Sequence, residues 1–194
     1  MGALPSVRQS SRDRSARLHL LAMKLNLGCG TDIREGYTNV DSAPLPGVDV
    51  VHNLTDMPWP LPNGCADEIV MINVLEHLPD TIAAVEEIRR ICKPGATVRV
   101  RVPYYNSPDM FADPTHKSFF SERTLHFFDP RRKECQSRPY YSAARFEVTM
   151  HTVYCRFFIV YVPFRLHIMQ RFLLWFGRRI SPLVWVIEFE LKAV

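Results

Sequence analysis

Cysteine and glycine are sparse in this chain of 194 residues, with five Cys and eight Gly. Cys29, Cys65, Cys92, Cys135 and Cys155 contain no Cys-x-x-Cys pair and no Cys/His grouping at zinc spacing, so the sequence predicts neither a disulfide framework nor a metal site. Reduced thiols in a cytoplasmic protein are the expectation. The longest uncharged apolar runs, such as Phe157–Phe164, fall far short of the roughly 20 residues that cross a bilayer, so no spanning helix is expected. Internal repeats and low-complexity tracts are also lacking, which excludes solenoid, collagen-like and wholly disordered classes. What remains is 47% apolar and 11% aromatic, enough for one core of ordinary domain size.

Charge is unevenly spread. The net +4 combines +3 in residues 1–20, −6 in residues 24–130 and +8 in residues 131–180, with −1 in the last stretch. An acidic body followed by a basic, aromatic part at 131–180 suggests that the two regions meet different partners. Nucleic acid, an anionic membrane surface and a homodimer face all suit that part, as does plain solvation. Residues 1–22, rich in Ser and Arg and without helix or strand period, are expected to be a disordered extension, leaving one domain over 23–194.

From Lys24 a short strand, Lys24-Leu25-Asn26-Leu27, runs into Gly28-Cys29-Gly30, where the backbone must turn tightly. Further strands are predicted ending at Asn39-Val40-Asp41, over Val48–His52, over Glu68–Ile72 and over Thr97–Val102. Asp80 reads as an N-cap, followed by a helix whose Ile82, Val85, Ile88 and Ile91 face the sheet and which Lys93-Pro94-Gly95 stops. Residues 104–120 read as a functional loop, Ser121–Phe128 as a short helix, Phe146–Phe157 and Val184–Leu191 as strands, and Phe164–Arg179 as an amphipathic helix. Alternating strands and helices up to residue 102 predict a doubly wound α/β sheet, mostly parallel, with the late strands added antiparallel at its edge.

Gly28 and Gly30 stand where such a sheet presents the end of its first strand, and Asp41 ends the second, where an acid can accept from both hydroxyls of a ribose. A dinucleotide site needs a third glycine, yet position 33 is Ile, and its acid comes later than Asp41 does, so pyrophosphate binding is disfavoured.

Leu25-Asn26-Leu27-Gly28-Cys29-Gly30, Asn39-Val40-Asp41, Asp67-Glu68-Ile69, Val74-Leu75-Glu76-His77-Leu78 and Lys93-Pro94-Gly95 together resemble the class I S-adenosylmethionine-dependent methyltransferases, over roughly residues 24–130. Asp113-Pro114-Thr115-His116, followed by Phe119-Phe120-Ser121, is similar to small methyltransferase-domain proteins within that superfamily. The resemblance implies a Rossmann-like sheet with S-adenosylmethionine as cofactor, held by Asn26, Gly28, Cys29, Gly30, Asp41, Asn53, Leu54 and Asn73. Asn53 stands where relatives commonly carry Asp, and Thr31–Tyr37 leaves room for only a turn or two of the usual first helix.

In such an enzyme the cofactor supplies reactivity while the protein aligns, desolvates and, for an acidic nucleophile, removes a proton. His116, His77 and Asp113 are the candidate bases. Tyr104, Tyr105, Asp113 and His116 are the candidate substrate contacts, with packing and loop-stapling as alternatives for each. The expected function is methyl transfer to a small-molecule acceptor. A non-catalytic partner protein built on the same fold, or a nucleic-acid modifying enzyme using the basic part, is the alternative.

Overall fold

The computed structural model describes residues 22–157, 160–177 and 183–194. The stretch 1–21, where disorder is expected, lies outside the described residues, as do Arg178 and Arg179 of the basic part.

Eight strands form one sheet: β1 (Lys24–Leu27), β2 (Thr38–Asp41), β3 (Val50–Val51), β4 (Ala66–Ile72), β5 (Cys92–Pro103), β6 (Phe146–Phe157), β7 (Val160–Phe164) and β8 (Val184–Ala193), in the order β3-β2-β1-β4-β5-β8-β6-β7. β1 to β5 pair in parallel, and β8, β6 and β7 continue the sheet antiparallel from β5. The mostly parallel sheet with an antiparallel C-terminal strand is therefore present. It is longer than the sequence suggests by β7, which fills a stretch assigned no element and takes in Phe164, expected to begin a helix.

Apolar residues of β1, β4 and β5 are fully buried, among them Leu25, Leu27, Ile69, Met71, Val98, Val100 and Val102. Arg99 and Arg101 alternate with them and leave the core for the opposite face, where Arg101 meets the buried Glu188 of β8 at 2.8 Å. Burial on this scale, at roughly 25 cal/mol per Å² of apolar surface, drives the assembly.

Among the described residues four α-helices accompany the sheet: α1 (Thr81–Ile91), α2 (Pro108–Ala112), α3 (Lys133–Ser137) and α4 (His167–Gly177). The Asp80 carboxylate caps α1 by accepting from the Ala83 amide at 2.9 Å. The buried face of α1 is Ala84, Val85, Ile88 and Ile91, whereas Ile82, expected on it, is 38% exposed. A run of apolar residues every third position drifts around a helix that turns about 100° per residue, leaving Ile82 and Ile91 half a turn apart. On α4 only Gln170, Leu173 and Leu174 turn inward, and Ile168, Phe172 and Trp175, expected to cover the sheet or a partner, are exposed.

Two further expectations are corrected. The third strand shrinks from Val48–His52 to Val50–Val51, because Pro44, Pro46 and Gly47 keep the preceding chain in turns. Between β1 and β2 the described chain forms turns rather than even a short helix. Some arginines of the basic part pair internally. Arg131 binds Asp129 through two nitrogens at 2.9 Å, and Arg145 donates to the carbonyls of Pro139, Ser142 and Ala144. All five cysteines are buried and unbridged. Among the described residues no helix is long and apolar enough to cross a membrane.

Candidate active site

Strand order runs from β1 toward β2 and β3 on one side and toward β4 and β5 on the other. Such a reversal opens a crevice beyond the carboxyl ends of β1 and β4, the place where open α/β sheets take ligands. Gly28 follows β1 and Asn73-Val74 follows β4, so both segments meet there. Gly28 has φ +67°, and a Cβ on it would stand 2.4 Å from Val74 Cγ2. That glycine therefore serves first to admit Val74 against the turn. Gly30, with φ +50°, has nothing within 4 Å of the Cβ position and leaves real space.

A groove of about 240 Å³ runs from this turn past Asp41, Asn53 and Leu54 to Asn73 and His77. Asp41 is anchored by accepting from the Gly30 amide at 2.7 Å and the Ala43 amide at 2.9 Å. A carboxylate offers about four lone-pair positions, so two remain for hydroxyls in the groove. Asn53 Oδ1 accepts from the Thr55 amide at 3.1 Å, which fixes its side chain at the groove wall. Asn26, Cys29 and Gly30 do not line the groove. Asn26 Nδ2 donates to the Asp32 carbonyl at 2.7 Å and to Asn39 Oδ1 at 3.0 Å, bracing the turn from behind, and Cys29 is buried.

Next to the groove lies a larger cavity of about 470 Å³, lined by Asn73, Glu76, His77, Asp113 and His116, with Arg101 and Tyr154 on its sheet side. Asn73 and His77 belong to both spaces. Asn73 holds φ +55°, a left-handed conformation that Asn tolerates better than most residues, and its amide donates to the Arg101 carbonyl at 2.8 Å.

The loop that carries Asp113 and His116 is stapled to the segment that carries His77. The Glu76 carbonyl accepts from the amides of Lys117 and Ser118 at 2.7 and 3.0 Å, and Ser118 Oγ donates to the Leu78 carbonyl at 3.0 Å. This brings the two imidazole rings edge to face, 4.7 Å between centroids. Each ring has its Nδ1 engaged: His77 with Thr115 Oγ1 at 2.9 Å and His116 with the Met110 carbonyl at 2.9 Å. Thr115 Oγ1 in turn donates to Asp113 Oδ1 at 2.6 Å.

Glu76 is fully buried, and neither carboxylate oxygen has a hydrogen-bond partner. Burial, helped by the charge of Asp113, pushes its carboxyl up to about 7, against a smaller opposing pull from its own backbone amide. Burial and then the nearby His116 lower the imidazole of His77, while bonds from the Thr115 hydroxyl and amide lower the carboxyl of Asp113.

Tyr104 and Tyr105, expected to shape the substrate pocket, line neither space. Tyr104 is buried with its hydroxyl on Glu122 at 2.8 Å, because the chain continues past β5 into a bridge with Phe120. Tyr105 packs on the core, its amide bonded to the Phe120 carbonyl at 2.8 Å. Sequence reading missed Glu76 as a cavity residue, and also Arg101 and Tyr154. Arg101 belongs to a strand that looks like any other alternating strand until its pairing with β8 places Glu188 beside it.

The family model "Methyltransferase domain" matches residues 18–100. No curated protein matches the sequence significantly. Among solved structures the chain is similar to a SAM-dependent methyltransferase from Archaeoglobus fulgidus, at 16% identity and a TM-score of 0.57, covering 93% of this chain and 90% of that one. It is also similar to a SAM-dependent methyltransferase from Thermotoga maritima described as a possible histamine N-methyltransferase, at 15% identity and a TM-score of 0.54, covering 87% and 81%. The [4+2]-cyclase SpnF shares the fold at 14% identity and a TM-score of 0.50, covering 93% and 78%, so the fold by itself does not fix the reaction.

The groove suits S-adenosylmethionine on its own terms. Asp41 keeps lone pairs free for a ribose diol, Leu54 gives an apolar wall, and no helix N-terminus stands after β1 to hold a phosphate. Residues 18–100 thus match the methyltransferase-domain family, the described residues share the fold of SAM-dependent methyltransferases, and the cofactor that goes with that domain is S-adenosylmethionine.

Proposed function

We propose that the protein transfers a methyl group from S-adenosylmethionine in the groove to a small molecule held in the adjoining cavity. One observation carries this reading: Asn73 and His77 line both spaces, so groove and cavity adjoin at these two residues. The cavity of about 470 Å³ falls in the range of small-molecule sites, roughly 300–1,000 Å³.

When bound, S-adenosylmethionine supplies a sulfonium methyl group that an aligned nucleophile displaces in line. The chain's own residues do the rest. Asp41 accepts from the ribose hydroxyls, with Asn53 and Leu54 beside the adenine. Asn73 stands where groove and cavity adjoin. The Asp113 carboxylate can only accept, so the Thr115 hydroxyl donates to it and accepts a hydrogen bond from the Nδ1–H of His77. His77 Nε2 is left as a bare lone pair, and burial keeps the ring neutral. It is the base for an acceptor O–H or N–H in the ion-free protein. The Met110 carbonyl sets His116 in the same tautomer, whose Nε2 orients the acceptor.

Incubation with labelled cofactor and a small-molecule extract tests the reading. Label should pass to a low-mass product with the wild type and fall sharply with His77→Gln. Failure of S-adenosylhomocysteine to bind at all would end it.

A further inference from the structure

The strongest unused feature of the molecule is the buried carboxylate of Glu76. A fully buried carboxylate with two unbonded oxygens is costly unless something pairs with it. The groups nearest in kind are two imidazoles, His77 and His116. The ligand atoms of all three residues lie within 4.8 Å of one another, and all three line the same cavity.

We propose that Glu76, His77 and His116 form a binding site for a divalent first-row transition ion of the zinc class, in the wall of the acceptor cavity. Two imidazole nitrogens and one carboxylate are a donor set that zinc accepts in sites with an open position. The ring orientations favour ligation over mutual hydrogen bonding. Both Nδ1 atoms carry their protons toward acceptors, Thr115 Oγ1 and the Met110 carbonyl, so both Nε2 atoms present lone pairs. Hydrogen-bonded imidazole behind a ligating nitrogen is the usual support of a metal-bound histidine, and here Asp113 stands behind Thr115 as the charged end of that support. A tetrahedral ion with bonds of about 2.1 Å sets its donors about 3.4 Å apart, so the cluster closes by an ångström or so on loading. Lys117 and Ser118, which follow His116, bond the Glu76 carbonyl through their amides, so the segments that carry the ligands are already tied together.

The remaining positions of the ion face the cavity. In the loaded protein the ion occupies the His77 lone pair and takes over its work by polarising an oxygen or nitrogen of the acceptor. Binding itself does not depend on methyl transfer being the reaction, and it is measured without it.

The test uses full-length protein stripped with a chelator and titrated with Co²⁺, followed by visible absorption, and with Zn²⁺, followed by calorimetry. The expected result is one ion per chain, with a nitrogen/oxygen spectrum free of a thiolate charge-transfer band. Glu76→Gln and His116→Ala should each abolish tight binding, and Thr115→Val should weaken it about 10- to 100-fold. Retained S-adenosylhomocysteine binding and an unchanged far-ultraviolet dichroism spectrum show that the variants fold; if Glu76→Gln does not, His116→Ala carries the comparison. No binding by the wild type at micromolar ion, unaltered binding by His116→Ala, or a thiolate band would overturn the proposal.

Discussion

His77 and Asp113 communicate through a single hydroxyl, that of Thr115, which stands 2.9 Å from the imidazole Nδ1 and 2.6 Å from the carboxylate. A carboxylate has no proton to give, so the direction of both bonds is fixed and with it the tautomer of the ring. Thr115→Val keeps the shape of the side chain and removes the hydroxyl. In ion-free protein, turnover should fall roughly 10- to 100-fold, part of the 10²–10⁴ that a positioned base contributes. S-adenosylhomocysteine affinity should stay as it is, and Thr115→Ser should restore most of the rate. Steady-state kinetics beside calorimetry of the three proteins checks this. Equal turnover in the Val variant would remove the relay from the chemistry.

Asp41→Ala should weaken S-adenosylhomocysteine binding by roughly 1–3 kcal/mol, the range for hydrogen bonds to a charged group. That is about 5- to 150-fold in dissociation constant. Because the carboxylate also holds the Gly30 and Ala43 amides, Asp41→Asn is the sharper comparison. It can keep an anchoring contact through its carbonyl oxygen while losing charge and lone pairs, so its loss should be smaller. Calorimetry giving the same affinity for all three proteins would show that the ribose lies elsewhere.

Gly28 and Val74 should behave as one unit. Gly28→Ala puts a methyl into the space of Val74 Cγ2, 2.4 Å away, at a residue with φ +67°. The backbone conformation alone costs about 1–2 kcal/mol, and overpacking adds about 1–3 kcal/mol. Val74→Ala removes both methyls and leaves only its Cβ, 3.2 Å away, so Gly28→Ala in its background should cost the backbone part and little more. Urea unfolding of the four proteins in the cycle measures the coupling. Strict additivity would mean that the turn moves away rather than pressing on Val74.

Most strands, the helix after Asp80 and the glycine turn were legible because they depend on local signals: β-branched alternation in Thr97–Val102, a capping Asp80 and a tight turn at Gly28. Asp41 was legible for the same reason, being the last residue of a short strand. What was not legible depends on where distant segments meet. Asp113-Pro114-Thr115-His116 looks like a loop motif in the sequence, and only the bonds from the Lys117 and Ser118 amides to the Glu76 carbonyl bring it onto His77. The absence of zinc spacing among the cysteines is a true reading of the chain that says nothing about ligands drawn from two segments. Tyr104 misleads for a related reason. A tyrosine just past a strand end reads as a pocket residue, yet the bridge to Phe120 extends the core beyond β5 and turns its ring inward.

Glu76 should make the ion-free protein lose stability as pH rises. Its carboxyl stands at about 7 in the folded chain against an ordinary value of 4.5, so the folded state holds the proton more tightly than the unfolded state does. The sign follows from that. The contribution is fully present below about pH 4.5 and is lost as pH climbs through about 7, where a buried, unpaired charge remains. At about 1.4 kcal/mol per unit, the loss is of the order of 3 kcal/mol. Glu76→Gln carries no such charge, so the wild type should lose stability relative to this variant between pH 5 and pH 8. Urea unfolding of both proteins with chelator present measures the change. Adding Zn²⁺ at pH 8 should then stabilise the wild type and leave the variant where it was, since an ion that binds only the folded state raises stability by mass action. A stability difference between the two proteins that stays constant across this range would show that the carboxyl of Glu76 finds a partner or water in solution.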